Sequence, residues 1–562
     1  MNVHLISDFN IETLGNYLEN DSTEPRISVS RAAFGQVVPA LLEQADRRSS
    51  VAVVWTSLAA VSPSFHRAVD GHAVSQEQLR SEVEEFANCI KQARSKFKAV
   101  FVVTWTLPAY QRGLGMLDLR SRSGLRRCLL QMNLELISFL EDAESVYLLD
   151  AQRWMESIGK GAYSPKLWFL SKSPFLGDVF REAAKDIKAA VRGVLGMARK
   201  LLIVDLDNTL WGGIVGDVGW ENLVLGGHDH AGEALVAFQR ALQALTTRGI
   251  LLGVVSRNEE AVALEAMSKH AEMVLRPENF VGWRINWNDK AANIVSLAAE
   301  LRLGLESVVF IDDSPVERAR VRESLPGVLV PEWPADKTLY PSALLQLDCF
   351  DTPQLTVEDA RRSEMYTAER QREESKKSIP SFDDWLLSLN TNLTIEPLSE
   401  ASLGRVTQLF NKTNQMNLTT RRLSQSELFA WAQSDQRRFW AFRVSDRFGD
   451  SGLTGILSLE FTGPTAEIID FILSCRVMGR KVEEAMLSVA VQHCQRLGVE
   501  QLTAVYLPTS RNKPCLDFWM RSGFDRDEEG NRFSWSLERS YPVPRGVEIA
   551  TANDLLMKEA VV

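Results

Sequence analysis

Asp205 and Asp207 stand one residue apart at the end of an apolar run, in I-V-D-L-D-N-T-L-W-G-G over 203–213. Alternate residues of a strand share a face, so both carboxylates point one way. Crowded carboxylates repel, and an unpaired buried charge is costly. A divalent cation removes the conflict. Mg²⁺ prefers hard oxygen ligands and is held by one or two carboxylates together with waters and substrate phosphate. Asp312 and Asp313, in V-F-I-D-D-S-P, close another apolar run and can complete the shell. The matching chemistry is phosphoryl transfer. Asp205 can attack phosphorus and form an aspartyl phosphate. Asp207 can protonate the leaving oxygen and later deprotonate the hydrolytic water. Ser256 can hydrogen-bond a phosphoryl oxygen, and Lys290 can offset charge on the transferring group. The glycines after Trp211 let a flap lie close to the site. A D-x-D pair alone is more often a solvated turn. Four elements in order decide for chemistry: D-L-D-N-T, Ser256 after a strand, Lys290 at a helix start, and I-D-D-S-P after another strand.

These residues need strands that end level with one another. L-L-I-V runs into Asp205, I-L-L-G-V-V into Ser256, and S-V-V-F-I into Asp312. A helix is predicted from about Gly232 to Arg248, with Gly249 as its stop. A second covers N-E-E-A-V-A-L-E-A-M-S-K-H. A third starts near Asn288 and sets Ala291, Ile294, Val295, Ala298 and Leu301 on one stripe. Ser314 reads as an N-cap with Pro315 at the first helical position. In an open parallel sheet, ligands bind beyond the carboxyl ends of the strands, where all these candidates fall.

The flanks supply the rest of a multidomain α/β chain. Residues 1–195 alternate buried-strand runs (52–58, 99–105, 145–150) with helical stretches (76–97, 124–141), an α/β pattern. Residues 199–335 form the central parallel-sheet domain, and 336–388 a charged helical connection. Residues 392–540 carry strands in L-T-I-E-P-L, F-W-A-F-R-V-S, G-L-T-G-I-L-S-L-E-F and A-E-I-I-D-F-I-L-S, with a helix after a glycine-containing turn. The tail, 541–562, has no sharp signal.

The four elements are the signature of the haloacid dehalogenase superfamily. The longer strings V-D-L-D-N-T-L-W-G-G-I-V-G-D-V-G, R-I-N-W-N-D-K-A-A-N-I and V-F-I-D-D-S-P-V-E-R-A resemble its FkbH-like branch, found with polyketide and related assembly lines. N-K-T-N-Q-M-N-L-T-T-R-R at 411–422 and L-S-C-R-V-M-G-R-K-V-E-E at 473–484 resemble the same family's C-terminal part. The resemblance implies that Asp205 is the nucleophile and Asp207 the acid/base. It implies magnesium held by Asp205, the Asp207 carbonyl and Asp312, with Asp313 close by, and phosphate contacts from Thr209, Ser256 and Lys290. It also implies a reaction in which 1,3-bisphosphoglycerate loses its phosphates and a glyceryl unit is loaded onto the phosphopantetheine thiol of an acyl carrier protein. One departure matters. Some members carry cysteine between the two aspartates, where a thiol can hold the glyceryl group; here the residue is Leu206, so no acyl-enzyme forms at that position. A plain phosphatase acting on a free metabolite therefore stays open.

The last domain resembles the GNAT acetyltransferase fold, in which an R/Q-x-x-G-x-G/A turn offers backbone N–H groups to a pantetheine-linked pyrophosphate. Arg476, Gly479 and Arg480 are the candidate pantetheine contacts, but Lys481 stands where a small residue is expected. A GNAT-type acyltransferase using the central domain as scaffold, and a non-catalytic docking subunit, are the remaining alternatives. Arg421 and Arg422 are candidate contacts to an acidic carrier. The N-terminal domain resembles the SGNH-hydrolase-like domain of this family. Ser7-Asp8 stands where its nucleophile block would be, without a D-x-x-H partner, and His4, His66 and His72 lack the right setting. A scaffold role is expected there.

The 562 residues exceed what one core organises. Lys plus Arg number 63 against 73 Asp plus Glu, a net charge of −10, which lacks the basic footprint of general nucleic-acid binding. Six scattered cysteines with no C-x-x-C pair suit reduced thiols rather than a disulfide framework or zinc site. No signal peptide or membrane-length apolar run is visible, so a cytoplasmic protein without membrane or nucleic-acid partners is expected.

Overall fold

The computed structural model describes residues 1–43, 47–227, 229–301, 303–355, 362–509 and 511–551. The chain is a multidomain α/β protein that separates into two units. One comprises Met1–Arg199 with Gln346–Gln354; the other comprises Lys200–Leu345 and the chain from Leu355 onward. No helix among the described residues is long and apolar enough to cross a membrane.

The first unit holds a five-stranded parallel sheet in the order Ser28–Arg31, Asn2–Ser7, Arg47–Trp55, Phe97–Val103, Val146–Leu149. Its central strands are apolar on both faces because helices cover both. Ala52, Val54, Val100 and Val102 pack with helices Gln76–Ala93 and Leu125–Leu140. Val51, Val53, Trp55 and Phe101 pack with helix Gly177–Val194. Short Asn2–Ser7 and polar Ser28–Arg31 are strands the sequence did not announce. The Ser7 hydroxyl accepts from Phe9 N at 3.2 Å, and Asp8 accepts from the Ser57 amide and hydroxyl at 2.7 and 2.5 Å, which makes Ser7-Asp8 a turn. His4 is buried on Ser30, 2.9 Å away, and burial with the Arg47 charge lowers its pKa to about 4. It is a neutral core histidine.

The second unit contains two sheets. The smaller is parallel, in the order Gly282–Ile285, Leu251–Ser256, Leu201–Val204, Val308–Ile311. Val204 lies opposite Val254 on one neighbour and Ile311 on the other, so Asp205 and Asp312 emerge at the same height. Helices follow their caps. Asp229 accepts from Gly232 N before His230–Thr247, Asp289 from Ala292 N before Lys290–Glu300, and Ser314 from Glu317 N before Pro315–Ser324. The buried stripe of Lys290–Glu300 runs through Ala291, Ile294, Leu297 and Ala298. Val295, expected on it, is 42% exposed, because it lies one residue past the buried row. Strand Gly282–Ile285 was not anticipated.

The larger sheet is mixed and has nine strands among the described residues. Its order runs Asp525–Arg526, Arg532–Ser536, Gln501–Val505, Thr465–Leu473, Gly449–Thr462, Arg437–Asp446, Thr391–Glu396, Val547–Thr551, with Met416–Asn417 paired to Thr465–Leu473. The last strand pairs in parallel with Thr391–Glu396 and corrects the reading of the tail as signal-free from 541. Helix Arg362–Ser378 is clamped to this sheet by Arg372, whose Nε and Nη2 donate to Asp446 at 2.6 and 2.8 Å.

Candidate active site

Asp205, Asp312 and Asp313 bring carboxylate oxygens within 4.8 Å of one another. Asp205 and Asp312 come from adjacent strand ends, and Asp313 from the turn that follows. Lys290, first residue of its helix, reaches between them: Nζ lies 2.6 Å from Asp312 Oδ2 and 3.1 Å from Asp205 Oδ1. Asp312 is fully buried, and its Oδ1 accepts from Ser314 N at 2.8 Å. The geometry toward Asp205 is poor: Oδ1 is buried and receives no directed hydrogen bond. Three carboxylates face one ammonium, so negative charge is left over.

Burial pushes the Asp205 carboxyl up to about 7, against the pull of Lys290 and the Ser256 hydroxyl and with a further push from Asp312. Burial, then Asp312, raises Asp313 as well. Burial works against charge on Lys290, but Asp205 and Asp312 outweigh it and hold its pKa above the ordinary lysine value. A buried oxygen without a directed hydrogen bond, like charges and hard donors together fit a magnesium ion, with Asp205, Asp312 and Asp313 as its carboxylate ligands.

Asp207 sits beside this cluster rather than in it. The regular strand stops at Val204. Leu206 O then accepts from Thr209 and Leu210 amides, closing a tight turn. Asp207 is expected to meet the metal through its carbonyl, and its side chain is engaged with donors of the protein. Its Oδ1 accepts from Trp211 Nε1 at 2.8 Å and Val215 N at 3.0 Å, and its Oδ2 from Asn258 Nδ2 at 2.8 Å. Two donors fill Oδ1, whereas Oδ2 keeps a lone pair that can carry a proton. Asn208 adopts φ 56°, and its side chain accepts from Gly213 N at 3.1 Å, folding the Trp-Gly-Gly segment back over the turn. Thr209, expected to touch phosphate, is buried with its hydroxyl on Asp313: it accepts from Asp313 N at 3.2 Å and faces Asp313 Oδ1 at 3.4 Å. Its place in the structure is to hold Asp313.

Two supporting residues went unread in the sequence. Asn258, two positions after Ser256, orients Asp207. Arg318 donates to the Asp312 and Asp313 carbonyls at 2.7 and 2.8 Å and fixes the acidic turn. A short polar cluster after a strand (Ser256-Arg257-Asn258) was the available signal for the first. The second is an i+6 contact around a helix start that periodicity does not reveal.

The candidates in the C-terminal turn lie apart from this cluster. Arg480 is 5% exposed and points inward, paired with Glu369 and, at 3.4 Å, with Asp446. Gly479 N donates to Glu483 Oε1 at 2.7 Å. Arg476 donates from Nε to Ser474 Oγ at 3.3 Å and lines a cavity of about 550 Å³ with Trp283, Arg284, Tyr366 and Arg370. Arg421, expected to meet a carrier, is bound to buried Asp470, and Arg422 donates to the Phe410 carbonyl. Both hold the fold.

No protein-family model matches the chain, and no curated protein matches it. Among solved structures, it is similar to the N-terminal part of the protein BF1531 from Bacteroides fragilis, which contains a phosphatase domain complexed with Mg. The identity is 25% and the TM-score 0.56, covering 63% of this chain and 95% of that one. Spermidine N-acetyltransferase from Vibrio cholerae, solved with CoA and spermine, matches at 18% identity and TM-score 0.22 over 26% of this chain and 96% of that one. The ribosomal-protein-S18-alanine N-acetyltransferase from Escherichia coli matches at 12% and 0.20, over 26% and 94%.

Proposed function

We propose that the chain is a magnesium-dependent phosphoryl-transfer enzyme of the haloacid dehalogenase type, acting on a small phosphorylated acid. The observation that carries this is the convergence of the Asp205, Asp312 and Asp313 carboxylates, with Lys290 paired to the first two, where adjacent strands end. Likeness to a phosphatase domain complexed with Mg supports it. In the reaction, an Asp205 oxygen forms a bond to phosphorus as the bond to the leaving oxygen breaks, and Asp207 Oδ2 delivers the proton that the leaving oxygen needs. Water then attacks the aspartyl phosphate, its proton returns to Asp207, and Asp205 is regenerated. Lys290 and Ser256 balance charge on the transferring group. Magnesium, when bound, lowers the repulsion between the attacking carboxylate and an anionic phosphate.

The finer reading is that the substrate is 1,3-bisphosphoglycerate and that a glyceryl unit passes to the phosphopantetheine thiol of an acyl carrier protein, as in the FkbH-like enzymes. Leu206 is fully buried, and the acidic cluster contains no cysteine. Cys349, Cys494 and Cys515 are buried thiols that desolvation pushes up to about 12, which makes them poor nucleophiles. Acyl transfer would then be direct: the carrier thiol attacks the acyl carbon and phosphate leaves. The same absence of a thiol favours a second reading, a plain phosphatase on a free phosphorylated metabolite.

Incubation of the protein with Mg²⁺, 1,3-bisphosphoglycerate and a pantetheinylated carrier separates the two. A glyceryl mass gain on the carrier supports loading, and phosphate release without it supports the phosphatase. Turnover that is indifferent to chelator or to Asp205→Asn would overturn both.

A further inference from the structure

An acetyltransferase-like fold implies coenzyme A or a carrier's pantetheine arm: an extended, amide-bearing chain ending in phosphate. Such a chain needs two things from a protein. Its amides need a free strand edge to pair with, as an added strand does. Its phosphate needs free backbone N–H groups at a helix start. This chain has filled both places with its own atoms.

Strand Thr465–Leu473 has two edges. Gly449–Thr462 pairs along one of them for its whole length. On the other, Gln501–Val505 pairs in parallel only with Thr465–Ile468. Beyond Ile468 the two parallel strands part, and the wedge between them would present unpaired backbone groups. The segment 416–419 occupies that wedge. Met416 and Asn417 pair with Leu473 and Ile472. Leu418 N donates to Phe471 O at 3.1 Å, and Leu507 N donates to Leu418 O at 3.0 Å, so the segment is bonded to both sides of the gap. Thr419 Oγ1 donates to Ile469 O at 3.2 Å. Asn512 Nδ2 donates to Asn417 O at 3.1 Å. Met416, Asn417 and Leu418 are all buried. Next to them, Arg421 binds buried Asp470 from Nε at 3.0 Å and also from Nη2. These are the residues of the N-K-T-N-Q-M-N-L-T-T-R-R string, which the chemistry at Asp205 leaves unused.

The phosphate place is closed in the same way. The turn before helix Val482–Arg496 directs Gly479 N at Glu483 Oε1, a buried carboxylate of the chain itself, 2.7 Å away. Lys481, where a small residue would let a ligand approach, sits at φ 65° with its ammonium on Glu484 at 2.9 Å. Arg480 is turned inward to Glu369. The residues present therefore do not fit a pantetheine-linked phosphate.

We infer that segment 416–419 and Glu483 are permanent internal substitutes for a pantetheine arm and its phosphate, so that this domain binds neither coenzyme A nor a carrier's arm in its sheet. Burial of Met416 and Leu418, with backbone bonds on both sides, distinguishes a built-in strand from a hinged lid. Whether Asp205 turns over phosphate has no bearing on this closure. The alternative in which the C-terminal domain is the acyltransferase and the central one a scaffold is then removed, and any carrier thiol must be served at the Asp205 centre.

The test is hydrogen exchange of the full-length protein, with and without ~1 mM coenzyme A, combined with equilibrium dialysis of labelled coenzyme A. Peptides covering 413–424 and 505–509 should exchange slowly, at rates unchanged by the ligand, with no saturable binding. Saturable binding that leaves those rates unchanged places the ligand elsewhere and also upholds the closure. Saturable binding that changes them, or exchange of 413–424 as fast as an open loop, overturns it.

Discussion

The Asp205 centre lies at the carboxyl ends of adjacent parallel strands and the C-terminal wedge lies where two parallel strands part, and the chain treats the two places in opposite ways. At the wedge the chain supplies the missing strand and the missing anion from within, and buried Asp470 is matched by Arg421. At Asp205 three carboxylates share one lysine, and a buried oxygen is left without a directed donor. Glu483 Oε2 also lacks a partner, but it stands alone, whereas Asp205 shares its surroundings with two further carboxylates, and it is that clustering of like charge that marks where a cation is expected. The end or parting of strands is therefore not evidence of a site; clustered like charge beside it is.

The largest effect should come from removing the group that the leftover charge presents. Asp205→Asn keeps the shape and loses the nucleophile, so turnover should fall by ~10³-fold or more, as for other covalent nucleophiles. Stability should not fall with it, because the variant also removes a carboxylate that burial disfavours. Steady-state kinetics with a parallel denaturant titration checks both halves. A loss of activity accompanied by an equal loss of stability would make Asp205 a structural residue.

Next is the cation that pairs with both Asp205 and Asp312. Lys290→Met leaves Asp205 and Asp312 unmatched, and breaking a buried ion pair on one side costs about 3–5 kcal/mol. Urea unfolding without metal should show a loss of this order. Added Mg²⁺ should recover part of it, since the cation takes over the lysine's electrostatic role.

The pH dependence sharpens the contrast further. An acid whose folded pKa is raised holds more protons folded than unfolded between its two pKa values. Without metal, Asp205 therefore makes the protein less stable as pH rises from about 4 to about 7. Glu483, also pushed up to about 7 by burial, contributes with the same sign. Mg²⁺ requires the carboxylate form and must displace the proton below pH 7. Its stabilisation at pH 5.5 should fall short of that at pH 8 by up to about 2 kcal/mol. Calorimetric titration in two buffers of different protonation heat should show proton release at the lower pH. Asp205→Asn should abolish the Asp205 part of the slope and leave that of Glu483.

A smaller effect is expected at Asn258. It touches the cluster only through Asp207, whose Oδ2 it holds at 2.8 Å. Asn258→Ala should lower kcat by ~10-fold while KM changes little, the pattern of a lost orienting contact in proton transfer. The acid limb of the kcat profile should move as well, which a purely structural residue would not cause.

Much of the Asp205 centre was legible in the sequence because strand ends in a parallel sheet are local events: an apolar run, an acid or serine, then a capped helix. Asp205, Ser256, Lys290 and Asp312 needed only that grammar. Asp207 was placed by strand alternation, but the strand ends before it, and Leu206 O gathers the next amides into a turn. The contact of Thr209 with Asp313 and the role of Arg318 were beyond reach because their partners lie across the turn or around a helix start. The wedge was illegible for a stronger reason. Met416–Leu418 carries no apolar run or alternation of its own, and its strand partners lie more than fifty residues away at 471–473 and further still at 507. No periodicity announces a two-residue strand.

The smallest predicted effect tests the closed side of the comparison. If Glu483 only caps Gly479 N, the bond needs an acceptor and not a charge, because the neighbouring Arg480 is engaged with Glu369. Glu483→Gln preserves an acceptor oxygen of the same reach and puts an amide at Oε2, the buried oxygen that has no partner. The two changes oppose each other: the amide relieves a buried ionisable group, but brings N–H donors that need acceptors. At pH 6, where Glu483 is largely protonated, unfolding free energy should change by less than about 0.5 kcal/mol. At pH 8 the variant should gain relative to the parent, since the parent must then hold a carboxylate in a buried place. Glu483→Ala, which leaves Gly479 N unpaired, should lose about 1–3 kcal/mol at both pH values. A glutamine variant as damaged as the alanine one would mean that the turn depends on the negative charge itself, as a real anion site does, and the contrast with Asp205 would disappear.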